Sequence, residues 1–326
     1  MKTRPIVAVT RPMPFPALDR LRGHCDVRQR DRDGLLGAGE LANFAADSDA
    51  ILTTLADLVD ARTLEALTPG LRVVSNYAVG TDNIDLATAA KLGVVVTNTP
   101  GVLTNATADL AMSIILALRR RLIEGDRMVR RGEFQGWEPT LLLGHDLEGK
   151  VLGIFGFGRI GRAVARRALS FGMSVIYCSR SAVPNGEQGG MFAKRVSFDE
   201  LVTASDVISL HAPLNSETRG VFGAGVLAKM KPGAVIVNTA RGPLVDEKAL
   251  ARLLCDGHLG GAGFDVYTGE PNVDAELLRA PNTILLPHLG SATRETRSRM
   301  AELCVDGILE VLGGRRPSNS VGAPGS

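Results

Sequence analysis

Three side chains with catalytic potential each follow an apolar segment that predicts a β-strand. Arg241 comes after AVIVNTA, Glu270 after GFDVYTG and His288 after TILLP. In open α/β sheets, ligands collect at the carboxyl ends of the strands. There a guanidinium can hold a carboxylate and polarise a carbonyl, an imidazole can transfer a proton, and a glutamate bonded to that imidazole favours its charged form. Any one such residue is often an ordinary loop residue, so the prediction depends on their joint placement.

The elements that must position these residues are organised around Lys150–Gly161, KVLGIFGFGRIG. Its apolar run VLGIF predicts a strand buried on both faces of a parallel sheet. Three glycines then form G-x-G-x-x-G, and an amphipathic helix follows. The glycines allow a tight turn, close approach of a pyrophosphate and packing of the helix on the strand, while the helix N-terminus favours phosphates. We therefore expect this turn to bind a dinucleotide through Gly156, Phe157, Gly158, Arg159, Ile160 and Gly161.

The end of the next apolar strand, MSVIY, indicates which dinucleotide binds. An NAD site has an Asp or Glu there, about 20 residues after the glycines, to bind the ribose 2′-hydroxyl. This chain instead has Ser179 followed by Arg180. No carboxylate would repel a 2′-phosphate, and a hydroxyl and a guanidinium can hold one, although a loop arginine can also be simply solvated. The sequence favours NADP(H) over NAD(H).

Taken together, these features predict the reduction of a 2-keto acid. Beside a nicotinamide, Arg241 would hold the substrate carboxylate, and His288 would give a proton to the carbonyl oxygen as hydride arrives. Glu270 would support the imidazolium form of His288. In the direction of oxidation, neutral His288 would be the base.

The composition excludes several other classes of protein. The chain has 326 residues, 45% hydrophobic and 22% charged, with a net charge of +2, which is ordinary for a two-domain globular protein and argues against nucleic-acid or membrane binding. Its four cysteines show no CxxC spacing, so we expect reduced, mostly buried thiols and no metal site. The sequence shows neither a signal peptide nor an apolar stretch long enough to span a bilayer, and the expected location is cytoplasmic.

The order of predicted elements indicates two α/β units. Strands alternate with helices in the N-terminal third, which predicts a first, smaller unit with a parallel sheet. A long apolar helix is then expected over Leu103–Arg121. Ile123–Asp146, which carries the only tryptophan, Trp137, is expected to be an irregular apolar arm that covers its own domain or reaches a second subunit. The tail Gly313–Ser326 is expected to be poorly ordered.

With these motifs in order, the chain resembles the D-isomer-specific 2-hydroxyacid dehydrogenases, and within that family it is most similar to glyoxylate/hydroxypyruvate reductases. The resemblance spans nearly the whole chain and rests on six motifs: Asn76–Asp85 (NYAVGTDNID), Thr104–Met112 (TNATADLAM), Gly156–Gly161, Asn238–Gly242 (NTARG), Gly263–Pro271 (GFDVYTGEP) and Pro287–Thr293 (PHLGSAT).

The resemblance implies an α/β fold of two doubly wound parallel-sheet (Rossmann-like) domains. The cofactor domain, residues 102–289, would be inserted into a discontinuous substrate-binding domain, residues 1–101 plus 290–326. Arg241, Glu270 and His288 would be the catalytic triad in the roles given above. Substrate contacts are implied at the loop around Leu55, at the backbone amides of Val79 and Gly80, and at Arg241 and His288. Further cofactor contacts are expected at Thr107, Ser179, Arg180, Pro213, Thr239, Ala240, Arg241, Asp265, His288 and Gly290.

The resemblance also implies partners and leaves alternatives. The substrate would be a small 2-keto or 2-hydroxy acid, glyoxylate or hydroxypyruvate, and the chain would form a homodimer through the cofactor domain and the Trp137 arm. A reductase of a longer acid such as 2-ketogluconate is the first alternative. Phosphoglycerate dehydrogenase fits less well, because many members carry a regulatory domain for which this chain is too short. A dinucleotide-sensing co-repressor also fits less well, because those relatives are NAD-type and have extended tails.

Overall fold

The computed structural model describes residues 4–13, 16–37, 39–182 and 193–322. The chain forms two compact units, one from residues 1–103 and 292–326 and the other from residues 104–291. No helix in the described ranges is long and apolar enough to cross a membrane. The four cysteines are free thiols, and Cys25 and Cys304 are buried.

The strands, in chain order, are β1 (Ile6–Val9), β2 (Asp26–Gln29), β3 (Ala50–Thr54), β4 (Val73–Tyr77), β5 (Val95–Thr97), β6 (Val151–Phe155), β7 (Ser174–Cys178), β8 (Ala193–Arg195), β9 (Val207–Leu210), β10 (Val235–Asn238), β11 (Gly261–Phe264), β12 (Thr283–Leu285) and β13 (Ser320–Val321). The helices are α1 (Ala17–His24), α2 (Glu40–Phe44), α3 (Ala61–Leu67), α4 (Leu86–Lys91), α5 (Thr104–Arg119), α6 (Leu122–Arg130), α7 (Arg159–Ser170), α8 (Phe198–Ala204), α9 (Ala224–Leu227), α10 (Glu247–Cys255), α11 (Ala275–Arg279) and α12 (Arg294–Leu312).

The first unit is a six-stranded sheet in the order β13-β5-β4-β3-β1-β2 with helices on both faces. Alternation along β1 divides the core, because neighbouring side chains of a strand point to opposite faces. Val7 and Val9 pack in one apolar cluster with residues of α1 and α12, while Ala8 packs in the other with residues of α2 and α3. This arrangement leaves the carboxyl ends of β1, β3 and β4 at one edge, where the loops leave the sheet.

The second unit is a seven-stranded, wholly parallel sheet in the order β12-β11-β10-β9-β6-β7-β8. The order reverses at β6, which carries the glycine turn, as expected of a doubly wound sheet. Val235 and Val237 of β10 contact the cluster that includes α5 and α7, and Ile236 contacts the opposite cluster. The predicted fold class, two parallel-sheet α/β units, is confirmed.

Two local predictions were wrong. The segment Ile123–Asp146 is not irregular throughout, because its first part lies in helix α6. The long helix before it ends at Arg119, and Arg121, in the left-handed region at φ 52°, turns the chain into α6. The tail also contains order that was not expected: β13 pairs antiparallel with β5, and Asn319 donates a hydrogen bond to the carbonyl of Asn98 at 2.7 Å. Residues 323–326 lie outside the described part of the chain.

Candidate active site

The three predicted chemical residues come from neighbouring strands of the second unit. Arg241 follows β10, Glu270 lies in the loop after β11, and His288 follows β12. These strands are adjacent in the sheet, in the order β12-β11-β10, and they are parallel, so their carboxyl ends meet at one edge. This topology brings together residues that are far apart in the sequence.

His288 and Glu270 form a direct pair. Nδ1 of His288 lies 2.9 Å from Oε2 of Glu270, and the backbone N–H of Tyr267 donates to the other carboxylate oxygen at 2.9 Å. With Nδ1 bonded to the carboxylate, Nε2 is the ring nitrogen left to exchange a proton with a ligand. The side chains are 29% and 31% exposed, so a small molecule can reach them.

The charges around Glu270 keep it ionised. Partial burial disfavours its carboxylate, but the hydrogen bond and charge of His288, the N–H of Tyr267 and the charge of Arg241 outweigh that penalty and lower the pKa of Glu270 below its ordinary value. The carboxylate of Glu270 thus places a negative charge beside the ring of His288. A histidine paired with a carboxylate in this way is an arrangement that can take part in proton transfer.

A buried aspartate shapes the turn that carries His288. His288 has φ 56°, in the left-handed region that residues with a Cβ seldom adopt. The next two backbone N–H groups, of Leu289 and Gly290, donate to the two carboxylate oxygens of Asp265 at 2.6 and 2.7 Å. Burial raises the pKa of Asp265, although those N–H groups and His288 oppose the rise. In this structure Asp265 thus acts on His288 by fixing the backbone that follows it.

The turn after β10 is held by an asparagine. Asn238 accepts a hydrogen bond from the N–H of Ala240 at 3.0 Å and donates to the carbonyl of Arg241 at 2.8 Å. The Arg241 guanidinium donates to the carbonyl of Ala240 at 2.7 Å, and its charge acts on Glu270. At Gly242, a Cβ would collide with the backbone of Tyr267 and Thr268, so only glycine allows this close approach.

The glycine turn has the geometry of a phosphate cradle. Gly156 has φ 92°, and a Cβ there would collide with the backbone of Ala212, while a Cβ at Gly161 would collide with the carbonyl of Gly156. A Cβ at Gly158 would instead meet no protein atom. Gly158 is the N-cap of α7 and supplies no side-chain hydrogen bond, so the first N–H groups of the helix are not capped from it. Open space and such N–H groups suit an anionic phosphate.

The other residues of the turn divide between core and surface. Phe157 is buried and stacks on Tyr177, with ring centroids 3.9 Å apart, so its side chain belongs to the core. Ile160 is half-buried and packs against the same cluster, and Arg159 is exposed at the start of α7. Of these three side chains, only that of Arg159 is exposed.

The remaining predicted cofactor residues of this unit lie near the same strand ends. Thr107 of α5 donates to the carbonyl of Gly290 at 3.0 Å, so its hydroxyl already has a protein partner. The hydroxyl of Thr239 is buried and has no hydrogen-bond partner in the described part of the chain. Pro213 is exposed, and its carbonyl accepts from Thr218 at 2.7 Å. Of the groups described in this paragraph, the hydroxyl of Thr239 is the one left without a partner, and a bound ligand could satisfy it.

The predicted 2′-phosphate residues follow β7. Ser179 is half-buried and Arg180 is exposed. The Ser179 hydroxyl donates to the carbonyl of Ser181 at 2.7 Å, and Arg195 of β8 donates from Nη2 to the carbonyls of Ser179 and Arg180 at 2.9 and 2.8 Å. The loop is thus closed by its own hydrogen bonds, and no carboxylate occurs between Ser179 and Ser181.

The predicted substrate residues Val79 and Gly80 follow β4 in the first unit. Their carbonyls accept from the side-chain amides of Asn98 and Asn76, each at 2.8 Å. The hydrogen bonds found among the described residues include none from the N–H of either one. Both N–H groups are therefore available to an anion. Leu55, in the loop after β3, is 40% exposed.

Residues 112–290 match the family model described as "D-isomer specific 2-hydroxyacid dehydrogenase, NAD binding domain", which is more than half of the chain. The chain belongs to this family. It is therefore an oxidoreductase, as the sequence predicted, and residues 112–290 form the NAD-binding domain of the 2-hydroxyacid dehydrogenases.

Full-length relatives support this assignment. The chain is 44% identical to the glyoxylate reductase of Thermococcus litoralis over 322 residues, 98% of this chain and 97% of the relative. It is also similar to the crystal structure of a glyoxylate reductase from Paecilomyes thermophila, with a TM-score of 0.87, 36% identity and 98% and 99% of the two chains covered. A third relative is the NADPH-dependent glyoxylate/hydroxypyruvate reductase of Sinorhizobium meliloti, crystallised with NADP and malonate, with a TM-score of 0.86, 33% identity and 98% and 97% coverage.

In this 2-hydroxyacid dehydrogenase, sequence reasoning missed a group of polar residues in the first unit. Asp57 accepts from the hydroxyl of Thr10 at 2.6 Å and from the N–H of Thr54 at 2.8 Å, and Arg11 lies 3.4 Å away. Asn83 donates to the carbonyls of Thr54 and Asp57 at 3.1 and 2.9 Å. The signal that could have found them is positional, because each follows or lies near the end of a predicted strand.

The second unit holds positioning residues that were missed in the same way. Asn238 is within the NTARG motif and Tyr267 within GFDVYTGEP, but neither was singled out. The Tyr267 hydroxyl donates to the carbonyl of Leu286 at 2.9 Å, so it ties the loop of Glu270 to the end of β12. No group of three or more His, Cys, Asp or Glu side chains that could hold a metal occurs in the residues the structure describes.

Proposed function

We propose that this protein uses NADPH to reduce a small 2-keto acid, glyoxylate or hydroxypyruvate, to the D-2-hydroxy acid. The proposal rests on the pair formed by His288 and Glu270. Nδ1 of His288 lies 2.9 Å from Oε2 of Glu270, and both side chains are partly exposed to solvent. The strands that lead to this pair, β12 and β11, are neighbours of β10, which leads to Arg241. A proton donor, its carboxylate and a guanidinium are the groups that such a reduction requires. The names of the Thermococcus, Paecilomyes and Sinorhizobium relatives support the choice of substrate.

Each residue of the triad has a separate task in this proposal. Arg241 holds the substrate carboxylate and draws electron density from the carbonyl oxygen. His288 donates the proton from Nε2 to that oxygen, and Glu270 stabilises the imidazolium before the transfer. Asp265 keeps His288 in place through the N–H groups of Leu289 and Gly290. In the reverse direction neutral His288 accepts the proton.

The residues around the glycine turn fit a nicotinamide dinucleotide, which when bound supplies the hydride. The open space at Gly158 and the N-terminus of α7 suit the pyrophosphate. The hydroxyl of Thr239, which has no partner among the described residues, would form a hydrogen bond with the bound cofactor. We assign further contacts to Thr107, Pro213, Ala240, Asp265 and Gly290. Ser179 and Arg180, in a loop without a carboxylate, favour a 2′-phosphate over a bare hydroxyl.

The same proposal assigns roles to the two units and to the oligomer. The discontinuous unit binds substrate through Leu55 and the N–H groups of Val79 and Gly80, and the inserted unit binds the cofactor. The cofactor unit also carries exposed apolar side chains on and after α6, with Trp137 83% exposed. An apolar surface of this kind is typical of an interface, so we propose a homodimer, which light scattering in solution would test against a monomeric mass.

The deciding experiment is steady-state oxidation of NADPH and NADH in parallel with glyoxylate, hydroxypyruvate and 2-ketogluconate. The highest kcat/KM is expected for NADPH with one of the two small acids. A preference for 2-ketogluconate would keep the mechanism and overturn the substrate. A preference for NADH would overturn the cofactor assignment, and no turnover with any pair would overturn the enzymatic proposal.

A further inference from the structure

Arg195 lies beside the loop assigned to the 2′-phosphate, but no motif points to it. It ends strand β8, whose register places it opposite Tyr177 on β7, two residues before Ser179. Residues that alternate along a strand point to opposite faces, so Arg195 and its neighbour Lys194 face different ways. Lys194 pairs with Glu200 at 3.1 Å, whereas Arg195 bonds to the loop after β7.

The guanidinium of Arg195 covers the oxygen side of this loop. Nη2 donates to the carbonyl of Ser179 at 2.9 Å and to that of Arg180 at 2.8 Å. The next carbonyl, of Ser181, accepts the hydroxyl of Ser179 at 2.7 Å. Three successive carbonyls are thus satisfied by protein donors. Because carbonyl oxygens repel an anion, tying them to a cation makes the loop more favourable to a phosphate.

The positive charge of Arg195 also acts on the surrounding chain. Burial raises the pKa of the Cys178 thiol at the end of β7, and the charge of Arg195 opposes that rise. The charge therefore reaches the residue directly before Ser179. Together with Arg180 it places two cations on a stretch that contains no acidic residue from Ser179 to Ser181.

We propose that Arg195 is a positioning residue for the cofactor's 2′-phosphate, which holds the Ser179–Arg180 backbone and adds positive charge beside it. This inference rests on the NADPH preference proposed above and extends it to a residue on a different strand. Discrimination between NADPH and NADH would then depend on Arg195 of β8 as well as on Ser179 and Arg180 after β7. Removal of Arg195 should then weaken the phosphorylated cofactor selectively.

The test compares wild type, Arg195→Ala and the matched control Lys194→Ala, which removes the adjacent cation on the opposite face. KM is measured for NADPH and NADH at saturating keto acid. Arg195→Ala is expected to raise KM for NADPH about tenfold, the value of one charge-assisted interaction, and to leave KM for NADH within about twofold. Lys194→Ala should change neither. An equal rise for both cofactors would indicate a merely structural brace and would overturn the proposal, as would no change.

A calorimetric titration with adenosine 2′,5′-bisphosphate and with AMP separates this inference from the proposed function. Wild type should bind the bisphosphate more tightly, and Arg195→Ala should lose most of that difference without turnover being involved. If wild type prefers NADPH but Arg195→Ala keeps the preference, only the role of Arg195 fails. If wild type shows no preference in either assay, the proposed cofactor fails and this inference fails with it.

Discussion

Asp57 and Glu270 are both carboxylates at the carboxyl ends of strands, one in each unit, and their surroundings differ. The side chain of Asp57 is wholly buried and is bonded to Thr10, Thr54 and Arg11. The side chain of Glu270 is 31% exposed and is paired with His288 at 2.9 Å. An enclosed, fully bonded carboxylate holds a loop, whereas one that is open to solvent can support a proton transfer. We therefore expect Asp57 to hold a loop of the first unit in place, and Glu270 to support the chemistry of the second.

The largest effect that would break this contrast is expected at His288. His288→Ala should lower kcat by about 10³-fold, because it removes the general acid, while NADPH binding persists. Steady-state kinetics and a fluorescence titration with NADPH check the two parts. His24→Ala, an exposed histidine of α1, is the control and should match wild type. Turnover that survives in His288→Ala would mean that another group donates the proton.

Removal of Asp57 should act on stability. Asp57→Ala leaves Arg11, Thr10 and Thr54 without their shared acceptor, and we expect a loss of about 3 kcal/mol in the free energy of unfolding. Urea denaturation measures it. Asp19→Ala removes a carboxylate that is 69% exposed and should cost less than about 1 kcal/mol. Equal losses in the two variants would contradict the difference drawn between enclosed and open carboxylates.

In contrast to Asp57→Ala, Glu270→Gln should cost little stability and should lower kcat/KM for reduction. The expected fall is roughly 10- to 100-fold, because the variant loses a hydrogen bond to a charged group. The size of this effect should depend on pH, in a direction set by the pKa of Glu270. Because the pKa of Glu270 is lowered, its carboxylate supports His288 at every pH above that pKa and loses this role as the pH falls through it. The difference in kcat/KM between wild type and variant should therefore narrow only in acid, at pH values below the ordinary glutamate pKa of 4.5. A gap that stays constant across that range would contradict the role of Glu270.

The smallest effect is expected at Asn83, which joins the loop of Leu55 to the segment after β4. Asn83→Ala removes hydrogen bonds to the carbonyls of Thr54 and Asp57, and the loosened loop should raise KM for the keto acid by about tenfold. KM for NADPH should stay unchanged, because we assign the binding of NADPH to the other unit. A parallel rise in both constants would show general destabilisation in place of loop positioning.

Predictions from the sequence succeeded where a signal is local. The run VLGIF followed by G-x-G-x-x-G predicted a buried parallel strand and a helix, and β6 and α7 occur there. They failed where the outcome depends on distant partners. The segment Ile123–Asp146 was predicted to be an irregular apolar arm, but helix α6 covers its first part and begins after Arg121, which lies in the left-handed region. Strand β13 has two residues and exists only because β5 offers it a free edge.

Strand period, glycine spacing and motif order are properties of the chain alone, so they were enough to predict the fold class, the family and the types of residue at the strand ends. Which of those residues meet depends on the order of the strands in the folded sheet. The contacts of Glu270 with His288, of Asp265 with the N–H groups after His288, and of Arg195 with the loop after β7 join residues 15 to 25 positions apart. They form because parallel strands bring their carboxyl ends to one edge, which no local pattern specifies.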